Sequence, residues 1–318
     1  MSFLNSLQLK QKVRNKAREL DNIPPAAVMQ NVMMEHFIRR ITISDYKDKF
    51  ILKGGVLVSS LVGISNRTTM DLDTTVKNLQ LSSENLKKVL TEIGQIDLND
   101  GFSFEIEKIE QIRHEEIYPG IRVHMKAYFD KTRQPLKLDV TTADIITPHE
   151  IDYELSSLFS DPITVKAYPL ETILAEKLET IISRDIANTR LRDFYDVGIL
   201  FETQGENIDY NTLFQALKNT ATKRGTLTTL NDYSAIISKI KDDAVMQQLW
   251  LNYADSFPYA QKYTFDGLCD TAARLFENVF TEEQKIDSVS SLINDASDRS
   301  EQTVSQGDSK GNKDYNLV

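Results

Sequence analysis

Cysteine is almost absent: Cys269 is the only one in 318 residues. That excludes an internal disulfide framework and any cysteine-rich zinc site. Histidine is scarce too. His36, His114, His124 and His149 are scattered at no metal-ligand spacing, so each is expected at the surface or as a satisfied core residue. No run of about 18 apolar residues occurs, which argues against a membrane-spanning helix. The first twenty residues turn polar and basic almost at once, so no secretory leader is expected and the chain reads as cytoplasmic. Positive charge is in deficit, 37 Lys and Arg against 47 Asp and Glu, for a net charge of −10. This balance argues against broad, nonspecific nucleic-acid binding, but not against an RNA substrate, because charge can be patchy. Basic residues gather in Lys10–Arg18, at Arg39-Arg40 and in Arg184–Arg192, as solvated helix faces or as a local basic rim around a site. No internal repeat is visible. At 41% hydrophobic residues the chain can fill one large core or two packed ones.

What is present is concentrated in residues 50–76, FILKGGVLVSSLVGISNRTTMDLDTTV. Phe50–Lys53 reads as a short buried strand, and Gly54-Gly55 as a tight turn where backbone can approach a ligand closely. Val56–Leu61 then opens a helix whose N-terminal N–H groups make a ready anion site. Asp71-Leu72-Asp73 begins a second strand, and period-two alternation puts both carboxylates on one face with Leu72 in the core. A phosphate cradle, two aligned carboxylates and Arg67 are the parts of a Mg²⁺-nucleotide site. Asp-x-Asp alone is a weak signal, and a solvated β-edge carrying two aspartates is the competing reading; the ordered combination is much stronger.

The block resembles the AbiEii/AbiGii toxin family of nucleotidyltransferase-fold proteins, whose typical pattern reads LKGG, then R-x-S-x-D-hydrophobic-D. Here it stands as Leu52-Lys53-Gly54-Gly55 and Arg67-Thr68-Thr69-Met70-Asp71-Leu72-Asp73. The wider polymerase-β-type superfamily prefers Gly-Ser at the turn and a shorter spacing to the first Asp. Both departures fit the toxin branch better than the aminoglycoside or poly(A) branches. The later segments Glu176-Lys177-Leu178 and Arg192-Asp193-Phe194-Tyr195-Asp196-Val197 resemble the family's EKL and RD-x-Y-D-hydrophobic motifs. By that resemblance Lys177 contacts the triphosphate, and Asp193 or Asp196 holds the lysine or the base in place. An ion pair from Lys177 to Asp193 or Asp196 that only pins two helices is the structural alternative, and both roles can coexist.

A third strand, Leu136–Thr142, alternates so that Lys137 and Asp139 share one face while Leu136, Leu138 and Val140 take the other. Projected toward Asp71 and Asp73, Asp139 would complete a three-carboxylate metal site, the resemblance favouring this over a solvent-facing strand residue. Magnesium prefers hard oxygen ligands and keeps places for phosphate oxygens and water. The remaining elements are expected as helices at 6–20, 25–41 and 83–93 and strands at 102–112 and 117–129, with Tyr118-Pro119-Gly120 near the turn. After Pro162 the chain is expected to be mainly helical. Trp250, Tyr253, Phe257, Tyr259 and Tyr263 are read as helix-bundle core in preference to an RNA-stacking platform.

The expected fold is α/β: a polymerase-β-like nucleotidyltransferase core with a mixed sheet, plus a helical C-terminal domain. Residues 1–165 hold the N-terminal helices and the core, 166–280 the helical domain, and 281–318 a polar, partly disordered tail with one short helix. The catalytic candidates are Asp71, Asp73, Asp139, Lys177 and Asp193. Lys53, Gly54, Gly55, Arg67 and Asp196 are the nucleotide-binding candidates, and Asp71, Asp73 and Asp139 the Mg²⁺ (or Mn²⁺) ligands. The resemblance implies a toxin that transfers NMP from an NTP, GTP or a pyrimidine NTP, to an RNA acceptor such as a tRNA 3′ end, in a toxin–antitoxin system linked to abortive phage infection. It also implies a cognate antitoxin with a winged-helix DNA-binding part. The alternatives are a non-catalytic GTP- or RNA-binding module and transfer to a protein or small molecule.

Overall fold

The computed structural model describes residues 3–112 and 120–281. Helix α1 (Ser6–Glu19) starts where the Asn5 side chain accepts a hydrogen bond from the Gln8 N–H, and α2 (Pro25–Ile43) carries proline in its first turn. Apolar residues surround most of α2, which is buried on nearly every side. The buried cation it carries is paired through its two terminal nitrogens: Arg40 donates to both oxygens of Asp100 at 2.8 and 3.0 Å and to the carbonyls of His36 and Phe102. His36 bonds Asp100 at 2.8 Å and stacks on Phe102, a satisfied core histidine as expected.

A mixed seven-stranded sheet lies against these helices: β1 (Phe50–Lys53), β2 (Asp71–Val76), β3 (Phe102–Ile112), β4 (Gly120–Phe129), β5 (Thr132–Thr142), β6 (Ile151–Leu155) and β7 (Ile163–Ala167). Its order is β3-β4-β5-β2-β1-β7-β6. The β2–β5 and β1–β7 pairs are parallel and the others antiparallel. The β2–β5 crossover uses helix α4 (Ser83–Gly94) and the β3–β4 pair. Alternation along β4 and β5 puts Val123, Met125, Leu136, Leu138 and Val140 in the core, leaving Arg122, His124, Lys137 and Asp139 on the outer face. Truncating one of those core leucines to alanine costs about 2–5 kcal/mol.

Strands β6 and β7 are not among the sequence-based expectations, and β7 runs through Ala167, past residue 165. Helix α3 (Gly54–Val62) follows β1 directly. The C-terminal part is helical: α5 (Leu170–Arg184), α6 (Leu191–Gln204), α7 (Tyr210–Arg224), α8 (Tyr233–Asp242), α9 (Ala244–Ser256) and α10 (265–281). Trp250 is buried and Tyr253 packs between it and Tyr195, so the aromatic group is helix-bundle core, with Tyr253 and Phe257 also reaching the cleft described below. The expected turn at Tyr118-Pro119 and the polar tail lie outside the described residues.

Candidate active site

Three adjacent strands build one wall of the site. In the parallel β2–β5 pair Asp73 lies beside Asp139, and Asp71 beside Lys137. Paired residues project to the same face, so register alone gathers Asp71, Asp73 and Asp139. The opposite wall comes from α5 and α6. Between them lies a cleft of about 660 Å³ whose lining includes all ten candidate residues, Lys53, Gly54, Gly55, Arg67, Asp71, Asp73, Asp139, Lys177, Asp193 and Asp196.

The Gly-Gly turn is held by Asp73. Gly54 has a φ of +63°, and an added Cβ would lie 2.6 Å from the Asp73 Cγ. Both the left-handed backbone and the close approach require glycine there. At Gly55 an added Cβ would come within 2.9 Å of the Thr69 Cβ. The Gly55 N–H donates to Asp73 at 3.3 Å, so one donor of the α3 N-terminus already holds a carboxylate rather than standing open to phosphate. Burial pushes the Asp73 carboxyl up, with Asp139 and Asp71 adding to the effect against the Gly55 hydrogen bond and Lys53.

Several cations assigned to phosphate from the sequence are already paired. Lys53 donates to Thr141 at 2.8 Å and to Asp144 at 2.5 Å. Thr75 and Tyr168 complete that network, bonding Asp144 at 2.5 and 3.1 Å. Burial favours the neutral Asp144 acid, yet Lys53 and the surrounding hydroxyls hold its carboxyl well below the usual range. Arg67 is buried and donates to Asp196 at 2.7 Å. Lys177 donates to Asp196 at 2.6 Å and to Asp193 at 3.2 Å, which is the helix-pinning geometry foreseen as an alternative. Arg190 adds a contact of 3.0 Å to Asp193. Burial alone would raise the Asp196 carboxyl, but Arg67 and Lys177 outweigh it and bring it down to about 2.

Two ammonium donors of Lys177 are thus occupied, and the third remains for a ligand in the cleft. Arg192 also lines the cleft and has no ion pair among the described residues. Arg224 lines it as well, while bonding Glu179 and Thr180.

Arg122 on β4 has no place in the sequence-based site. It stands opposite Asp139 in the antiparallel register and grips both carboxylate oxygens at 2.7 Å. The signal existed only as a register between two strands, which a linear motif does not encode. Thr69 was also missed, although it sits between Arg67 and Asp71 and packs against Gly55.

The donor set suits a hard divalent cation, being carboxylate oxygen throughout. Among the described residues, however, no three His, Cys, Asp or Glu side chains are gathered closely enough to form a metal cage. Arg122 occupies the third carboxylate, so the open pair is Asp71 and Asp73. Magnesium commonly binds through one or two carboxylates with substrate phosphates and water filling the other positions, and this wall fits that pattern.

No helix among the described residues is long and apolar enough to cross a membrane. No curated protein matches the chain. Two solved Helicobacter pylori structures are similar to it. A candidate nucleotidyltransferase is 18% identical with a TM-score of 0.46, over 81% of this chain and 98% of that one. JHP933 is likewise 18% identical with a TM-score of 0.46, over 83% and 97%. Residues 36–278 match the family described as nucleotidyl transferase AbiEii toxin, type IV TA system, a span that takes in both walls of the cleft. The chain therefore belongs to the AbiEii nucleotidyltransferase toxins of type IV toxin–antitoxin systems.

Proposed function

We propose that this toxin transfers a nucleoside monophosphate from an NTP, GTP or a pyrimidine NTP, to the terminal hydroxyl of an RNA acceptor, with a tRNA 3′ end as the favoured class. The acceptor hydroxyl gives up its proton to solvent as its oxygen bonds the α-phosphorus, the bond from that phosphorus to the oxygen bridging the β-phosphate breaks, and pyrophosphate leaves. The observation that carries this reading is the register of β2 and β5, which sets Asp71, Asp73 and Asp139 on one wall, opposite the α5–α6 side where Lys177, Arg190 and Arg192 stand among Glu176, Asp193 and Asp196.

Asp71 and Asp73 would hold Mg²⁺ or Mn²⁺, and Asp139 stands beside them. When bound, the cation neutralises phosphate charge and orients the α-phosphate. Lys177, Arg190, Arg192 and Arg224 face the same cleft and offer donors to the triphosphate and the leaving pyrophosphate. Gly54 and Gly55 keep the chain flat enough for close approach beside Asp73. Asp193 and Asp196 position Lys177 and Arg67 rather than touching phosphate. The antitoxin is proposed to be a protein with a winged-helix DNA-binding part.

The test is transfer from each α-labelled NTP, with Mg²⁺, onto total tRNA, with Asp71→Ala as control. Labelled RNA from one preferred NTP and none with the variant is the expected result. NTP binding without labelled RNA would move the acceptor to another class.

A further inference from the structure

A second groove, of about 420 Å³, lies outside the cleft, between α1, the start of α2 and the turn joining β4 to β5. Its lining includes Lys10, Arg14, Lys131 and Arg133 and no carboxylate. All four cations are exposed, and none makes an ion pair with another described residue. In a chain of net charge −10, where most other described lysines and arginines are paired, this is an unusual concentration of free positive charge. Lys10 and Arg14 are four residues apart on α1, so they repel across one helical turn, a cost that a bound anion would remove.

The groove connects to the candidate active site through a single strand. Arg133, Lys137 and Asp139 share the outer face of β5, and Arg133 lines the groove while Asp139 lines the cleft. Six residues at the rise of a strand span about 20 Å. On β4, next to this track, the basic groups already have partners: Lys126 pairs with Glu107 and His124 bonds Glu110 on β3, while Arg122 pairs with Asp139 on β5. Among the described residues Lys137 pairs only with Asp71, at 3.9 Å. Among the described residues the free charge therefore lies in the groove and reaches β5 at Arg133, rather than covering the whole sheet face.

We infer that this groove binds the phosphate backbone of the RNA acceptor, whose end then runs along the outer face of β5 to the Asp71, Asp73 and Asp139 wall. The inference rests on the RNA-acceptor reading above. Backbone phosphates are recognised by unpaired Lys and Arg without base readout, and a groove with no carboxylate and no aromatic platform suits that mode. An acidic protein segment would meet the same charges, but nothing would then require continuity with the transfer site.

The test compares the full chain with an Arg14→Gln/Arg133→Gln double variant. Total tRNA is titrated at stepped KCl concentrations, NTP binding is measured alongside, and thermal unfolding checks folding. Both residues are exposed, so the variant is expected to melt like the wild type. The expected result is tRNA affinity weaker by about tenfold or more, with the slope of log K against log salt smaller by about 2. NTP affinity should stay unchanged, and in transfer assays KM for tRNA should rise while kcat holds. Unchanged tRNA affinity and slope in the variant would overturn the groove assignment while leaving nucleotide transfer intact. If the wild type binds and labels no RNA, yet transfers NMP to another acceptor in an Asp73-dependent way, the RNA reading fails and the groove inference with it. Tighter wild-type binding to polyglutamate than to tRNA, lost in the variant, would reassign the groove to an acidic protein partner.

Discussion

Asp73 is placed where charge is costly and useful at once. Its carboxyl is pushed up by burial, so its favourable contribution to folding is complete below its ordinary value of 3.8 and is lost as pH rises through the folded value. At neutral pH the ionised group is therefore a cost that a cation or a neutral isostere removes. Asp73→Asn keeps an acceptor for the Gly55 N–H, and we expect it to abolish transfer while raising the melting temperature in EDTA by roughly 1–2 °C, the response to about 1 kcal/mol. Wild-type transfer by this variant would remove Asp73 from the proposed metal site. Arg122 makes the complementary prediction. Its bidentate grip supplies the only close counter-charge to Asp139 among the described residues. Arg122→Ala should lower the melting temperature in EDTA and enlarge the stabilisation by Mg²⁺, because the cation then replaces the guanidinium. An Mg²⁺ response no larger than in the wild type would show that Arg122 and the cation do not share Asp139. The acidic residues were legible because alternation fixes a face locally. Arg122 was not, because its role depends on a hairpin register set by residues far from any motif.

At the level of elements, α5 and α6 are joined to the β1–β2 segment by one buried network, Arg67–Asp196–Lys177–Asp193. Tyr195 adds a hydrogen bond from α6 to the Asn66 carbonyl in the same loop. Removing one member of such a network leaves an uncompensated buried charge, at a cost of about 3–5 kcal/mol. Asp196→Ala is expected to lose that much stability. The pH dependence follows from its depressed carboxyl: the stabilisation is present above the unfolded value near 3.8 and disappears as pH falls through about 2. Unfolding between those limits should be steeper in the wild type than in Asp196→Asn, measured by circular dichroism. Lys177→Ala should reduce both stability and NTP affinity if its third donor meets phosphate. A stability loss with unchanged NTP binding would leave it as a helix pin alone. Strands β6 and β7 escaped sequence reading for related reasons. β6 is a five-residue edge strand in which Tyr153 and Leu155 face inward between exposed Asp152 and Glu154, an alternation too short to stand out in the sequence. β7 is five residues long and is fixed by a parallel pairing with distant β1. Pro135 likewise hid the start of β5. Its missing N–H is tolerated because β2 begins only opposite Lys137, leaving β5 an edge strand at that point.

Across the whole molecule the cleft has one wall from the sheet and one from the helices, and each is charged for a different part of the same ligand. Carboxylates on the sheet side call for a cation, and free or partly free Arg and Lys groups on the helical side call for phosphate. Neither half is complete alone. Mg²⁺ without nucleotide meets two open carboxylates, and nucleotide without Mg²⁺ brings its charge against Asp71 and Asp73. Stabilisation by the two ligands should therefore exceed the sum of their separate effects. At a ligand concentration of 100 times Kd the linkage amounts to about 2.7 kcal/mol. For a chain of this size that corresponds to a rise in melting temperature on the order of 4–5 °C. We expect that rise with Mg²⁺ and the preferred NTP together, a much smaller one with either alone, and none beyond the Mg²⁺-free value in Asp73→Asn. Equal stabilisation by NTP with and without Mg²⁺ would place the nucleotide on the helical wall only, separating it from the carboxylates that the transfer reaction needs.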